Sequence, residues 1–94
     1  MTDHAEIVEV VWLDSVGEHQ WLDLDDARQS AADDDAMQHR SVGWLLDDRP
    51  DYLLLALSRS ESWSQVDLTL QIPRGSVQRV KVLRRGNGAP HAAE

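Results

Sequence analysis

Apolar positions fall into five short runs with the character of β-strands and one alanine-bearing stretch with the character of a helix. In Ile7–Leu13 four of seven residues are β-branched and Glu9 is the only charge, which predicts a first strand closed by Trp12 and Asp14. A glycine-bearing loop over 15–20 follows, and then Trp21 and Leu22 as an apolar anchor. Asp23 or Asp25 can cap a helix there. Its first turn is acidic as the helix dipole prefers, and Ala27, Arg28, Gln29, Ala31 and Ala32 are good helix formers. Asp33, Asp34 and Asp35 should end it, because adjacent acids oppose the dipole at a helix C-terminus, and a loop with Met37 turned inward is expected up to Arg40.

Residues 41–47 predict a second strand and 52–58 a third, joined by the turn Asp48-Arg49-Pro50-Asp51. The third strand is apolar at both parities through Leu53-Leu54-Leu55-Ala56-Leu57, which predicts cover on both faces of this hairpin. A polar loop over 60–65 carries Trp63 and should leave it exposed. Val66, Leu68, Leu70 and Ile72 then alternate with Asp67, Thr69 and Gln71, the pattern of a strand with one wet face. Pro73-Arg74-Gly75-Ser76 makes a tight turn before a fifth strand over 77–83, with Val80 and Val82 inward and Arg79 and Lys81 outward. From Arg84 on there is no periodicity, so one domain over 5–84 and a disordered tail over 85–94 are expected. The fold class predicted is mainly β: a five-stranded small barrel, Sm-like or SH3-like, with one short α-helix between strands 1 and 2. Gly43 inside the second strand, which weakens a strand unless the backbone bends or something approaches closely, points to the sharp bend of such a barrel.

The second half of the chain resembles the Sm and Hfq-type fold over 41–83. The resemblance rests on the glycine-containing strand Val42-Gly43-Trp44-Leu45-Leu46, the aspartate-bearing turn Asp47-Asp48-Arg49, and Ile72-Pro73-Arg74-Gly75-Ser76-Val77, similar to that family's isoleucine–arginine–glycine signature. Pro73 interrupts the signature, and another SH3-like barrel fits the same strand pattern. Over 8–83 the chain also resembles small bacteriophage and prophage proteins that carry Trp12-Leu13-Asp14-Ser15, Ser41-Val42-Gly43-Trp44-Leu45-Leu46 and Ile72-Pro73-Arg74. The first resemblance implies rings built by joining the fourth strand of one copy to the fifth of the next. It also implies RNA contacts at Asp48-Arg49-Pro50 and Arg74-Gly75-Ser76. The first of those segments departs from the family pattern, offering two acids and no aromatic residue or asparagine. The second resemblance supplies a context, a phage-type accessory protein, and no chemistry.

Composition narrows the function classes. Ninety-four residues allow one core. The chain has no cysteine, which excludes thiol chemistry and suits a reducing cytoplasm, and its longest apolar run, 53–57, is far short of the roughly 20 residues a membrane helix needs. A soluble, cytoplasmic protein without membrane contact is expected. The net charge of −8 disfavours long nucleic acid, but it is unevenly spread. Residues 1–51 carry 14 acids and 3 bases, a net −11, whereas 52–94 carry 3 and 6, a net +3. Such polarity allows the ends to pair internally or with copies of the chain.

Candidate chemistry is sparse. His4, His19, His39 and His91 lack the spacing of a metal site, and the aspartates lack the glycine and closing glutamate of a calcium loop, so no metal or cofactor is expected. No nucleophile elbow, phosphate loop or dinucleotide fingerprint occurs, so no enzyme is expected. The tryptophans are the strongest signal. Trp12 and Trp44 read as core or subunit-contact residues, while Trp63 reads either as a contact with a partner or as a loop anchor. Trp44, Arg49, Trp63, Arg74 and Ser76 are the expected ligand or partner contacts, the turn at Arg74 being able to hold one phosphate. Asp23, Asp25, Asp26, Asp33, Asp34 and Asp35 form an expected acidic docking surface. The function expected is binding, by a homo-oligomer, of a host protein or a small nucleotide-like anion, in a counter-defence or host-modulating role; the alternative is an Sm/Hfq-like RNA chaperone.

Overall fold

The structure, a computed structural model, describes residues 5–17, 19–32 and 34–86. Its elements are β1 (Ile7–Leu13), α1 (Leu24–Ala31), a 3-10 turn (Asp34–Met37), β2 (Gln38–Asp48), β3 (Tyr52–Arg59), β4 (Val66–Pro73), a second 3-10 turn (Arg74–Ser76) and β5 (Val77–Arg84). The protein is mainly β. All five strands are antiparallel and lie in one sheet of order β4-β3-β2-β1-β5, so β4 and β5 are the two margins of the hydrogen-bonded ladder.

Alternation decides which side chains meet. Val8 and Val10 of β1 point to the same face as Leu53 and Leu55 of β3 and Ile72 of β4, and these five form the buried core. Trp12, Leu45, Leu70 and Val77 pack against them half-buried. On the sheet's other face Val11 and Ala56 are buried as well. Trp44 stands in register with both Ile7 and Ala56, because it is the residue at which β2 passes from pairing with β1 to pairing with β3. Gly43, just before it, is buried where the two strands cross closest: a Cβ there would lie 2.7 Å from the carbonyl oxygen of Ala56. Close approach of the β3 backbone, rather than the barrel bend expected from the sequence, is therefore what the structure shows this glycine to serve.

The strands run slightly longer than the apolar pattern predicts. The largest difference is at β2, which begins at Gln38, within the stretch expected to be a loop. Gln38, His39 and Arg40 are polar and exposed, yet each pairs with a residue of β1, so register with an apolar neighbour extends the strand where side-chain pattern does not. The preceding residues 34–37 form the first 3-10 turn rather than a loop, and Met37 is half-buried there. α1 starts as expected after Asp23, whose backbone is extended, although its side chain makes no capping hydrogen bond.

Cover on both faces of the β2–β3 hairpin holds as far as Ala56 and ends at Leu57, which is 59% exposed; Leu68, next to it on β4, is 62% exposed. On β5, Val80 and Val82 pair with Val10 and Val8 on the core side yet stay 39% and 45% exposed. Core-facing residues at both margins thus lack cover that the centre of the sheet has. Of the expected tail, residues 87–94 lie outside the described residues.

Candidate functional site

The five expected contact residues fall in two places, at opposite ends of β3. Seven residue steps of an extended strand separate those ends by about 23 Å, so they do not make one site.

The first place is the β3–β4 loop. Arg59, the last residue of β3, lays its guanidinium 4.6 Å from the ring centre of Trp63 and 5.5 Å from that of Trp44. The two indoles meet edge to face, 6.0 Å apart at 84°. Arg59 Nη1 also donates to the carbonyls of Ser60 (3.1 Å) and Glu61 (3.0 Å), so one side chain ties the loop to the sheet. The loop closes on itself through Ser60 N to Gln65 O (2.9 Å), Trp63 N to Ser60 O (3.0 Å) and Gln65 N to Ser60 Oγ (3.0 Å). Trp63 sits at φ 64°, a left-handed conformation that a bulky residue holds only where contacts over-determine it. The stacked arginine and Trp44 supply those contacts. Trp63 is half-buried rather than exposed, and the Nε1 of Trp44 is buried without a hydrogen-bond acceptor among the described residues. A shallow depression of about 490 Å³ at the two ends of the loop is lined by Ser58, Arg59, Ser60, Gln65, Val66 and Asp67.

Arg59 is the residue that sequence reasoning missed. The available signal was a single cation four residues before a tryptophan otherwise surrounded by serines. Arg59→Ala should lower stability by about 1–2 kcal/mol, with Arg59→Lys losing less, because the stacking is cation–π and partly desolvated. Urea unfolding followed by tryptophan emission measures both the loss and the release of Trp63.

The second place joins the β2–β3 turn to the 3-10 turn after β4. Arg74 pairs through Nη2 with Asp48 Oδ1 and donates to the carbonyl of Arg49 from Nη2 (2.8 Å) and Nε (3.3 Å). Its backbone N–H reaches the carbonyl of Asp51 (3.0 Å), and Arg49 N donates to Tyr52 O (2.9 Å). Arg49 Nε lies 3.9 Å from Asp47 Oδ2. Arg74 therefore clamps one turn to the other, and both arginines face carboxylates of their own chain. Two cations against Asp47, Asp48 and Asp51 leave no local excess of positive charge, so an incoming anion has to compete with Asp48 for the guanidinium. Ser76 ends the same 3-10 turn and is half-buried.

The acidic set lies on the insert between β1 and β2. Asp23, Asp25 and Asp26 line the start of α1 and are exposed; Asp35 is exposed in the following 3-10 turn, which also contains Asp34. Asp33 lies outside the described residues. The expected apolar anchor is the clearest correction here: Trp21 is fully exposed, and α1 buries no residue. The helix has no face turned into the core because its apolar content is little more than alanine.

Of the histidines, His39 lies 5.3 Å from Trp12 ring to ring, and its Nδ1 is 2.9 Å from the carbonyl of Met37; His4 and His91 lie outside the described residues. Among the described residues no three metal-ligating side chains gather, and no described helix is long and apolar enough to cross a membrane. The chain matches no protein-family model, no curated protein and no solved structure, so its chemistry has to be argued from these residues alone.

Proposed function

We propose that the protein acts by binding, as a small-barrel module that assembles with copies of itself. The observation that carries this reading is the pair of uncovered apolar margins, Leu57, Val66 and Leu68 at one end of the sheet and Val80, Val82 and Leu83 at the other. An open strand edge with apolar side chains beside it is a pairing template for another chain. With β4 and β5 outermost in the sheet, the reading is that the sheet curls to bring them together in one barrel, or that one copy's β4 joins the next copy's β5, as the Sm resemblance implies. The Trp44–Arg59–Trp63 cluster offers a rigid aromatic surface, of the kind enriched at interfaces, to a host protein or a small nucleotide-like anion. The phage resemblance fits an accessory protein that modulates its host from within the cytoplasm.

Native mass spectrometry of the protein purified from its own cellular background is the direct test. An oligomer retaining a protein or small ligand is expected, and a bare monomer would overturn the reading. Trp63→Ala at the first place and Arg74→Ala at the second should each weaken capture of that partner at least about tenfold; unchanged affinity of either variant removes that place from the partner surface. Single-stranded RNA bound at micromolar affinity with a steep salt dependence would replace this reading by the RNA-chaperone one.

A further inference from the structure

We propose that the insert between β1 and β2 is a docking arm that seats on the β5 margin of a second copy of this chain. The inference rests on the self-association reading and gives the β5 margin to this arm in place of another copy's β4.

The arm is defined at its base. Leu13 pairs with Gln38, and Asp14 N donates to the carbonyl of Met37 (2.9 Å), so residues 14–37 leave the sheet and return to it at one point. Beyond that point α1 buries no residue, and Val16, Trp21, Leu22 and Leu24 stay exposed. An eight-residue helix does not hold in water by propensity alone; packing has to stabilise it, and its own sheet supplies no buried face. Between the entering loop and the helix runs an open groove of about 700 Å³, floored by Val16, Leu22, Ala27, Ala31 and Met37, with Asp26 at its rim.

The β5 margin has the complementary character. Val80, Val82 and Leu83 are exposed on a strand with one unpaired edge, and Arg79, Lys81, Arg84 and Arg85 stand among and beside them with no acid over 77–85. The insert carries eight acids against one base over 14–37. Lengths also agree. The six residues 79–84 of β5 span about 17 Å. Eight helical residues cover about 12 Å, and residues 21–23 before them, extended at Asp23, add the rest.

Both surfaces belong to one chain, and no described residue covers either. The arm leaves at the end of β1 near the start of β5, whereas the exposed stretch of β5 runs to the opposite end, where Arg84 pairs with Ile7. A second copy is the occupant that covers both surfaces at once. Arm on margin is a heterologous contact, so repetition closes a ring or extends a chain.

The test is sedimentation velocity of the full chain from low-micromolar to submillimolar concentration. Association is expected for the wild type and should weaken with added salt. Trp21→Ser, the pair Asp25→Lys with Asp26→Lys, and the pair Arg84→Glu with Arg85→Glu should each shift the association midpoint at least about tenfold. Far-UV circular dichroism and unfolding of the dilute variants should stay as in the wild type, since all five residues are exposed. Mixing the two charge-reversed proteins should restore association. Reversals that weaken association separately but fail to restore it when mixed overturn the proposed pairing. Folded variants that associate as the wild type does overturn the arm while leaving self-association intact. A wild type that stays monomeric throughout overturns the self-association reading itself.

Discussion

Gly43→Ala should lower the unfolding free energy by about 2–3 kcal/mol, a large part of the roughly 5–14 kcal/mol expected for a domain of this size. In an ordinary strand the same change would be mildly stabilising, because alanine loses less backbone freedom on folding than glycine. Here the added methyl would stand 2.7 Å from the carbonyl oxygen of Ala56 and 3.3 Å from its carbon, both backbone atoms of β3. A flexible side-chain end could swing away; a carbonyl in a strand ladder cannot do so without breaking the β2–β3 register that begins at Trp44 and Ala56. Gly75→Ala is the control. Nothing lies within 4 Å of its position, and it should change stability by no more than about 0.5 kcal/mol. Urea midpoints for the two variants, at unchanged slope, check both statements. Equal stability of the two would mean that β3 does not approach Gly43 as described.

Gly43 points in the sequence to a barrel bend rather than to the close approach of β3, which only the strand pairing reveals, but the strand that holds it was legible. The same holds for the five strands, whose β-branched or alternating runs leave little choice of element. What was not legible has a common cause. Val66, Leu68, Leu70 and Ile72 alternate identically, but only Ile72 is fully buried, because burial along β4 depends on how far the neighbouring strands extend over it. Period tells which face a residue takes, not whether anything lies on that face. Arg59 escaped notice for a related reason. Its partners Trp44 and Trp63 are 15 positions before it and 4 after it, and only the sheet brings the earlier one into reach. Arg49 and Arg74 were recognisable as a turn-associated pair of cations, yet the bonding of Arg74 to Asp48 and to the carbonyl of Arg49 depends on the turn geometry. Trp21 shows the converse: a large apolar residue reads as an anchor wherever it stands, and the insert places it outside its own core.

The core pair Leu53 and Ile72 gives the second large effect and also tests the margins. These residues are cross-strand partners, both fully buried, at the centre of the five-residue cluster. Leu53→Ala and Ile72→Ala should each cost about 2–5 kcal/mol, from lost transfer free energy plus a cavity that flanking strands cannot close. Because the side chains touch the same neighbours, the double variant should lose less than the two separate losses added together, with a coupling of about 0.5–3 kcal/mol. If the chain is near the lower end of its expected stability, the double variant will be unfolded without denaturant, and the coupling is then read from the single variants each paired with a milder change, Leu53→Val or Ile72→Val. Leu68→Ala removes a residue of the same type and face parity from the same strand as Ile72, but from an exposed position, so in dilute protein it should cost no more than about 0.5 kcal/mol. Its cost should grow with protein concentration if another copy covers the β4 margin, since a partner that binds only the folded form adds stability by mass action. A Leu68→Ala effect that is small at every concentration would leave β4 a solvated edge and place any self-association elsewhere on the molecule.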